Sequence, residues 1–334
     1  MFCGKVCGVP HELLTIGRIS VDIYPNDIGV DLEDVSSFGK YLGGSPSNVA
    51  VAAARHGRAS AVITGTGADP FGHYLHRELG KFGVSDEYLV TDPRWPTPVT
   101  FCAIKPPDEF PLYFYRQPTA PDLQLEKQHI PTDAVRAARI FWFTVTGLCQ
   151  EPSRDSHLFA LDARPRDGLA EDQHTIIDLD YRPMFWPSAA DAREQINRVL
   201  GRATVAIGNV EECTVAVGPG TPDELADRLL AAGVQIAVVK LGADGVLAKT
   251  ATERVDSAPV PVQTLNGLGA GDSFGGAFCH GLLSGWPLGR ALDFANAAGA
   301  IVASRLSCAD AMPTSAEVNS LLAERGRLHG AGAS

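Results

Sequence analysis

The chain has 334 residues, of which 45% are hydrophobic, and a formal net charge of −11. Its length and apolar content suit one large domain with a substantial core, and its negative charge argues against a broad nucleic-acid-binding surface. No apolar run reaches the roughly 20 residues that a membrane-spanning helix requires, and no signal-peptide pattern occurs, so we expect neither nucleic acid nor a membrane as a partner.

Seven cysteines are scattered along the chain without a Cys-x-x-Cys pair. Their odd number, and the apolar surroundings of several of them, favour reduced and mostly buried thiols, which are typical of a cytoplasmic protein. Cys3 and Cys7 lack a second pair of metal ligands, so we do not expect a metal site at these two residues.

Strand-like runs alternate with helical patterns, which is typical of an α/β fold with a mostly parallel sheet and helices on both faces. Strands of this sheet are predicted at residues 13–20, 59–65, 139–145, 175–180, 203–207 and 235–240. Helices are predicted at residues 70–82, 153–164, 222–232, 287–304 and 315–325. We expect residues 13–325 to form the domain, with flexible tails at residues 1–12 and 326–334.

Three segments interrupt this alternation, near residues 20–24, 38–42 and 97–116. Within the third segment, residues 98–104 and 111–116 alternate in the manner of the two strands of a hairpin. We interpret the three segments as a small β-sheet that stands off the main domain and acts as a lid over a crevice.

Residues 43–48, Gly-Gly-Ser-Pro-Ser-Asn, form a glycine-rich turn before a helical pattern at residues 49–54. One interpretation is structural, because a serine is a good helix cap and proline suits the first helical turn. The other is functional, because the two glycines and Asn48 can bring backbone and amide groups to the hydroxyls of a polyol. The residues alone leave both interpretations open.

A second glycine-rich turn, within residues 264–279, also opens a helix. Gly269, Ala270 and Gly271 are small enough for close backbone approach, and the N–H groups at a helix start attract anions such as phosphate. Asp272 would repel a phosphate, but it suits a base that takes a proton from a hydroxyl attacking phosphorus. The alternative is an ordinary acidic residue in the first turn of a helix.

Polar residues follow three successive predicted strands. These residues are Asp180, Arg182, Asn209, Glu212 and Lys240. In a doubly wound sheet, the residues just beyond the carboxyl ends of the strands line the ligand crevice, so the series favours a binding site over chance.

Together these motifs resemble the ribokinase-like (PfkB) family of sugar kinases over residues 13–325. Residues 43–48 resemble the di-glycine motif of that family, and residues 269–272 resemble its anion-hole motif. Residues 209–212 are similar to its Asn-x-x-Glu element, and residues 240–245 to its nucleotide-binding turn. The resemblance implies a ribokinase-like doubly wound α/β domain with a β-sheet lid, and ATP-dependent phosphorylation of a sugar hydroxyl.

The resemblance also implies roles for individual residues. Asp272 would be the catalytic base, and the anion hole would be formed at Gly269, Ala270 and Gly271. The sugar-binding residues would be Asp22, Gly43, Gly44, Asn48, Arg116 and Arg182. The ATP-binding residues would be Asp180, Asn209, Lys240, Gly242, Gly245 and Asn296. Glu212 would hold Mg²⁺, mainly through water, because this ion prefers water and phosphate to a full protein cage.

Several of these assignments have alternatives. Asp22 also suits an acidic turn residue after the first strand, and Lys240 also suits a structural role. Arg116 and Arg182 are candidates for a substrate carboxylate, because a guanidinium group can donate two hydrogen bonds to it. Arg182 suits an ATP phosphate equally well, and the alternative for Arg116 is a surface salt bridge.

Four segments resemble family members that act on keto-deoxy sugar acids. They are residues 32–42, Tyr115 with Arg116, residues 178–183 with Trp186, and residues 309–314. The implied reaction phosphorylates the terminal hydroxyl of 5-dehydro-2-deoxy-D-gluconate, giving its 6-phosphate in inositol catabolism. The alternatives are 2-dehydro-3-deoxygluconate, whose kinases usually carry Asn at the position of Asp180, and another sugar of the ribokinase-like class.

Asn266 and Gly267 depart from the family pattern. Many relatives carry an acid at the position of Asn266, near a monovalent-cation site, so K⁺ is an open expectation as a cofactor beside ATP and Mg²⁺. Lid-to-lid pairing is common in this fold, and we therefore expect a homodimer that forms through the lid.

Two other protein classes are compatible with parts of the sequence. A non-catalytic sugar- or nucleotide-binding protein is disfavoured because the base candidate Asp272 is present. A dinucleotide-binding oxidoreductase would need a Gly-x-Gly-x-x-Gly turn near the start of the chain, and residues 43–48 lack that form.

Overall fold

The computed structural model describes residues 11–326, which form fourteen strands and ten α-helices. The strands are β1 (Leu13–Ile16), β2 (Ser20–Pro25), β3 (Phe38–Gly43), β4 (Ser60–Gly67), β5 (Val84–Ser85), β6 (Leu89–Asp92), β7 (Val99–Cys102), β8 (Leu112–Tyr115), β9 (Ile140–Thr144), β10 (His174–Asp178), β11 (Val205–Asn209), β12 (Ile236–Lys240), β13 (Val246–Lys249) and β14 (Arg254–Ser257). The predicted tails lie outside the described residues, apart from residues 11, 12 and 326, and so do Cys3 and Cys7.

The five helices predicted with bounds begin and end within one residue of those bounds. The helices of the structure are α1 (Ser45–Arg55), α2 (Pro70–Lys81), α3 (Thr132–Ala137), α4 (Ser153–Ala163), α5 (Ala189–Val199), α6 (Val210–Val217), α7 (Pro222–Ala231), α8 (Ala270–Leu283), α9 (Leu288–Ala303) and α10 (Ser315–Glu324). Three of them, α3, α5 and α6, were not predicted. Local chemistry explains several starts, because Thr221 and Glu224 of α7, like Thr314 and Glu317 of α10, form reciprocal capping boxes. Such a cap stabilises a helix by about 1 kcal/mol. In the described part of the chain, none of the helices combines the length and the apolar character needed to cross a membrane.

The main sheet has ten strands in the order β14-β13-β12-β11-β10-β9-β1-β4-β5, with β6 also paired to β4. Its pairs are parallel except for β12–β13 and β13–β14. Phe141 and Phe143 of β9 pack with residues of α4–α7, whereas Ile140 and Trp142 pack with residues of α1 and α8–α10. Both faces of the strands are therefore covered, as expected for a mostly parallel sheet. The predicted fold class is confirmed.

The second sheet has four strands in the order β3-β2-β7-β8. Its strands fall in the three segments that interrupt the α/β alternation, and β7 and β8 form the predicted antiparallel hairpin. The register aligns Asp22 with Thr100, and Thr100 with Phe114, so these three side chains share one face.

The prediction of one strand over residues 13–20 is wrong. β1 ends at Ile16 in the main sheet, and β2 begins at Ser20 in the second sheet. Gly17 separates them with a φ of 136°, and a Cβ at this residue would lie 2.9 Å from Pro46 Cγ. Glycine allows the chain to turn sharply here, and the turn places Arg18 between the two sheets.

Candidate active site

The start of α8 has backbone geometry that suits an anion. Gly269, the N-cap residue, has a φ of 79°, and a Cβ there would lie 2.6 Å from Cys308 Sγ. Only glycine fits both the left-handed backbone and this close contact. The first N–H groups of α8, including those of Ala270 and Gly271, have no acceptor within the helix and can bind an anion.

Asp272 lies in the first turn of α8 and meets the other glycine-rich turn. Asn48 Nδ2 donates a hydrogen bond of 2.8 Å to Asp272 Oδ2, although the two residues are 224 positions apart. Burial raises the pKa of Asp272, and the hydrogen bond from Asn48 counteracts that rise. A buried carboxylate with a raised pKa is suited to accepting a proton.

The di-glycine turn makes room for the carboxyl group of Asp22. A Cβ at Gly43 would lie 2.0 Å from Asp22 Cγ, and a Cβ at Gly44 would lie 2.5 Å from the Arg18 carbonyl oxygen. Ser20 Oγ donates a hydrogen bond of 2.7 Å to Asp22. Burial raises the pKa of Asp22 to about 7, while Ser20 and Arg18 act in the opposite direction. Asp22 is therefore a buried acceptor beside the two glycines.

Lys240 lies beside the start of α8. A Cβ at Gly271 would be 3.2 Å from Lys240 Nζ, and Nζ is 4.0 Å from Glu212 Oε2. Burial opposes the charged form of Lys240, but Glu212 and Asp178 raise its pKa, so the ammonium group stays charged. Burial also raises the pKa of Asp178 to about 7, which Lys240 opposes. A cation next to the N–H groups of α8 strengthens the attraction for phosphate.

The Asn209–Glu212 element is first of all a helix cap. Asn209 Oδ1 accepts from the Glu212 N–H at 2.8 Å, and Glu212 Oε2 accepts from the Asn209 N–H at 2.7 Å. Glu212 Oε1 makes no hydrogen bond to any described residue, so it can contact water or a ligand. Within residues 11–326, no group of three or more His, Cys, Asp or Glu side chains is placed to hold a metal ion.

Two of the other predicted nucleotide-binding residues, Gly245 and Asn296, approach residues 257–259. A Cβ at Gly245, which has a φ of 95°, would lie 2.2 Å from the Ser257 carbonyl oxygen. Asn296 Nδ2 donates to the Ala258 carbonyl oxygen at 2.8 Å. Gly242 has a φ of 61° and no atom within 4 Å of its ideal Cβ position. The turn after β12 and helix α9 therefore approach one common segment.

Asp180 forms ion pairs with two arginines. Arg18 Nη2 donates to Asp180 Oδ2 at 2.6 Å, and Arg182 Nη2 lies 2.8 Å from Asp180 Oδ1. Burial opposes the charged form of Asp180, but Arg182 and Arg18 hold its pKa below the usual value. Asp180 thus holds the two guanidinium groups in place.

Arg116 is not a free cation on the lid. Its guanidinium group and Asp122 form an ion pair of 2.7 Å, and the two residues are only 7% and 1% exposed. Arg116 also lines a cleft of about 330 Å³ together with Phe185 and neighbouring residues of β8. Asp122 already neutralises the charge that a substrate carboxylate would require.

Arg18 and Asp178 were not among the site residues predicted from the sequence. Both lie at or just beyond the carboxyl ends of strands, as several other candidates do. The predicted strands at residues 13–20 and 175–180 extended past these ends, so neither residue was recognised as a strand-end residue. Gly17 was the available signal, because a glycine at the end of a buried strand often marks a sharp turn.

We expect Asp22 to reduce the stability of the free protein at neutral pH. The folded carboxyl group, with a pKa of about 7, holds its proton up to about that pH, whereas the unfolded group loses it near its ordinary pKa of 3.8. Protonation therefore favours the folded state, and this contribution is lost as the pH rises towards 7. Between about pH 5 and pH 8, wild-type protein should lose about 2–3 kcal/mol more unfolding free energy than the Asp22→Asn variant. Urea unfolding at both pH values measures the difference, and equal losses would contradict the expectation.

Comparisons with known proteins agree with this geometry. Residues 10–315 match the pfkB family of carbohydrate kinases. A 5-dehydro-2-deoxygluconokinase from Geobacillus kaustophilus is 33% identical over 319 residues, covering 94% of both chains. A 5-dehydro-2-deoxygluconokinase from Clostridium tetani is 30% identical over 328 residues, covering 96% of this chain and 95% of that protein.

A solved structure extends the comparison to bound molecules. The aminoimidazole riboside kinase from Salmonella enterica, complexed with aminoimidazole riboside and an ATP analogue, is 25% identical. It aligns with a TM-score of 0.77 over 93% of this chain and 99% of that chain. The resemblance inferred from the glycine-rich turns is thus confirmed over nearly the whole sequence, and the chain belongs to the pfkB family of carbohydrate kinases.

Proposed function

We propose that this protein transfers the terminal phosphoryl group of ATP to the terminal hydroxyl of 5-dehydro-2-deoxy-D-gluconate. The 2.8 Å hydrogen bond between Asn48 and Asp272 carries the proposal. It joins a turn suited to sugar hydroxyls to a carboxylate at a phosphate-binding helix start. The names of the relatives support the substrate, and the ATP analogue bound to the Salmonella kinase supports the phosphoryl donor.

Each residue group has one task in the proposed reaction. Asp22, Asn48 and the backbone of Gly43 and Gly44 orient the sugar by accepting and donating hydrogen bonds. Asp272 removes the proton of the attacking hydroxyl, a contribution worth roughly 10²–10⁴ in rate. The N–H groups at the start of α8 stabilise the negative charge of the phosphoryl group during transfer.

Nucleotide binding is assigned to the residues around the start of α8 and residues 257–259. Lys240 attracts the phosphates, while Gly242, Gly245 and Asn296 shape the nucleotide side of the crevice. When bound with ATP, Mg²⁺ supplies positive charge that offsets the phosphate oxygens, and Glu212 would hold it through water. Asn209 positions Glu212 by capping the same helix.

A comparison of four acceptor sugars tests this function. ADP release should be fastest, as kcat/KM, with 5-dehydro-2-deoxygluconate, followed by 2-dehydro-3-deoxygluconate. Ribose and fructose, which lack a carboxylate, should be poor substrates. Turnover with the neutral sugars alone would contradict the assignment of a sugar-acid substrate, and preference for 2-dehydro-3-deoxygluconate would identify the other keto-deoxy acid as the substrate. Production of the 6-phosphate would also be the first requirement for a place in inositol catabolism.

The turn before α8 does not fit a K⁺ site at Asn266. Its Nδ2 donates to the Leu306 carbonyl oxygen at 2.5 Å, and its Oδ1 accepts from the Leu268 N–H at 2.9 Å. Both ends of the uncharged amide are therefore committed to the protein. We expect replacement of K⁺ by tetramethylammonium at equal ionic strength to change kcat by less than about 2-fold, or about 0.4 kcal/mol. Activation by K⁺ of about tenfold or more would contradict this prediction.

The outer face of the lid supports the proposal of a homodimer. Phe38, Tyr113 and Tyr115 are 39%, 52% and 67% exposed, and Phe101 contacts the rings of Phe38 and Tyr115. An exposed aromatic patch of this kind commonly pairs with another surface. Light scattering should give twice the mass of one chain for wild type and a smaller mass for Phe38→Lys. A monomeric wild type would refute the lid dimer.

We also propose that the protein is located in the cytoplasm. The five cysteines within the described residues are free thiols, and most of them are buried. Reduced thiols are typical of proteins in a reducing compartment. ATP, the proposed phosphoryl donor, is supplied in the same compartment.

A further inference from the structure

We propose that Arg18, acting beside Arg182, binds the carboxylate of the substrate and restricts the kinase to sugar acids. This inference rests on the proposed function, because it assigns the specificity of the same acceptor site. It differs from the expectation drawn from the sequence, in which Arg116 and Arg182 had this role.

Arg18 is held rigidly where the chain passes from β1 to β2. Its Nη2 donates to Asp180 at 2.6 Å and its Nε donates to Thr146 Oγ1 at 3.1 Å. The guanidinium group lies 5.8 Å from the ring centres of both Phe114 and Phe185. Its remaining nitrogen, Nη1, makes no hydrogen bond to any residue of the described chain. One edge of an otherwise fixed planar group is thus left for a ligand.

Within the ion pairs of Asp180, guanidinium groups outnumber carboxylates by one, while Glu212, Asp272 and Asp178 act on Arg182 without pairing with it directly. A single carboxylate is shared by two guanidinium groups, with Arg18 on one oxygen and Arg182 on the other. Arg182 keeps 36% of its side chain exposed, so it remains accessible. A substrate carboxylate would form charge-assisted hydrogen bonds with the donors of Arg18 and Arg182 that Asp180 does not occupy.

The electrostatic influence of Arg18 extends to both ends of the proposed sugar site. Arg18 lowers the pKa of Asp22, after the larger effects of burial and of Ser20. It also acts against the rise in the pKa of Asp272 that burial causes. The geometry agrees, because the Arg18 carbonyl oxygen accepts from Ser47 Oγ at 3.1 Å and lies 2.5 Å from the ideal Cβ position of Gly44, beside the di-glycine turn. An acceptor that spans these residues would bring its carboxylate to the two guanidinium groups at Asp180.

The charges around Arg116 argue against it as the ligand of the substrate carboxylate. Its ion pair with Asp122 contains one charge of each sign and is almost fully buried. Binding a further carboxylate there would put two anions beside one guanidinium group, with the loss of hydration that burial entails. Arg116 therefore supports the lid structurally, while Arg18 and Arg182 provide the donors that Asp180 does not occupy.

Two substitutions of Arg18 test the proposal with 5-dehydro-2-deoxygluconate and ATP as probes. We expect Arg18→Met to raise KM for the sugar acid by about 10- to 100-fold, the effect of losing a charged hydrogen bond. KM for ATP should change by less than about 2-fold. Arg18→Lys keeps the positive charge but not the several donors of the guanidinium group, so its KM for the sugar acid should lie between those of wild type and Arg18→Met. Arg58→Met is the matched control, since Arg58 is a partly buried arginine paired with Glu12 away from this cluster.

Three outcomes would overturn the role of Arg18. An unchanged KM for the sugar acid in a folded variant would show that its carboxylate binds elsewhere. An equal rise in KM for ATP would assign Arg18 to the nucleotide phosphates. If thermal unfolding shows that Arg18→Met is not folded, Arg18→Lys supplies the test. A wild-type KM for the sugar acid in that variant would show that the guanidinium group of Arg18 is not needed to bind the carboxylate. Failure of the wild-type enzyme to use any sugar acid would instead refute the proposed function.

Discussion

Asp272→Asn is expected to lower kcat by about 10³-fold, because asparagine cannot accept the proton of the attacking hydroxyl. The substitution preserves size, and Asn48 can still donate its hydrogen bond to the side-chain oxygen at this position. The proposed anion hole consists of backbone N–H groups, so the affinity for ATP should stay close to that of wild type. Steady-state kinetics and calorimetric titration with ATP measure the two quantities separately.

Asp256→Asn is a suitable control for this experiment. Asp256 lies on β14 at the surface, where it pairs with Arg254. Exposed ion pairs contribute little to stability, typically about 0.2–1 kcal/mol, so this variant should keep wild-type turnover. Near-normal turnover in Asp272→Asn would remove Asp272 as the base. Loss of ATP binding together with turnover would show instead that the start of α8 had been disturbed.

Gly43→Ala is expected to raise KM for the sugar by about 100-fold while leaving KM for ATP near wild type. An added Cβ would lie 2.0 Å from Cγ and 2.1 Å from both carboxylate oxygens of Asp22, so this side chain must move. Asp22 would lose its hydrogen bond from Ser20 and its position in the acceptor site. Loss of a hydrogen bond to a charged group, with the associated misplacement, costs about 3 kcal/mol.

Gly80→Ala tests whether this effect is specific. Gly80 lies in α2 and has no atom within 4 Å of its ideal Cβ position. Alanine is the better helix former, so this variant should be as active as wild type and more stable by roughly 0.5–1 kcal/mol. If Gly43→Ala binds the sugar normally, the carboxylate of Asp22 is not needed for sugar binding.

The two glycine-rich turns illustrate what local sequence can reveal. Residues 43–48 and 269–272 were recognised from the order of their residues, and the structure places both at helix starts. Two interpretations of the first turn remained open in the sequence, because proline and serine at residues 45–47 suit any helix start. The contact of Asn48 with Asp272 supports the functional interpretation, since it connects this turn to the candidate base.

The arginines illustrate what local sequence cannot reveal. Sequence patterns selected Arg116 and Arg182 as carboxylate ligands, but the binding partners of an arginine depend on packing between distant segments. Asp122 pairs with Arg116, and Asp180 is shared by Arg182 and Arg18, which lies 162 positions earlier. The charge available to a ligand is therefore a property of the assembled site.

The sequence by itself determined the alternation of strands and helices, the positions of both glycine-rich turns and the identity of the base candidate. These features are encoded within a few residues, by hydrophobic periodicity and by the conformational freedom of glycine. The tertiary structure alone decided the end of β1 at Gly17, the junction of Asn48 with Asp272 and the sharing of Asp180 by two arginines. These features arise when segments far apart in sequence pack together, and burial then sets the partners and the pKa values of their side chains.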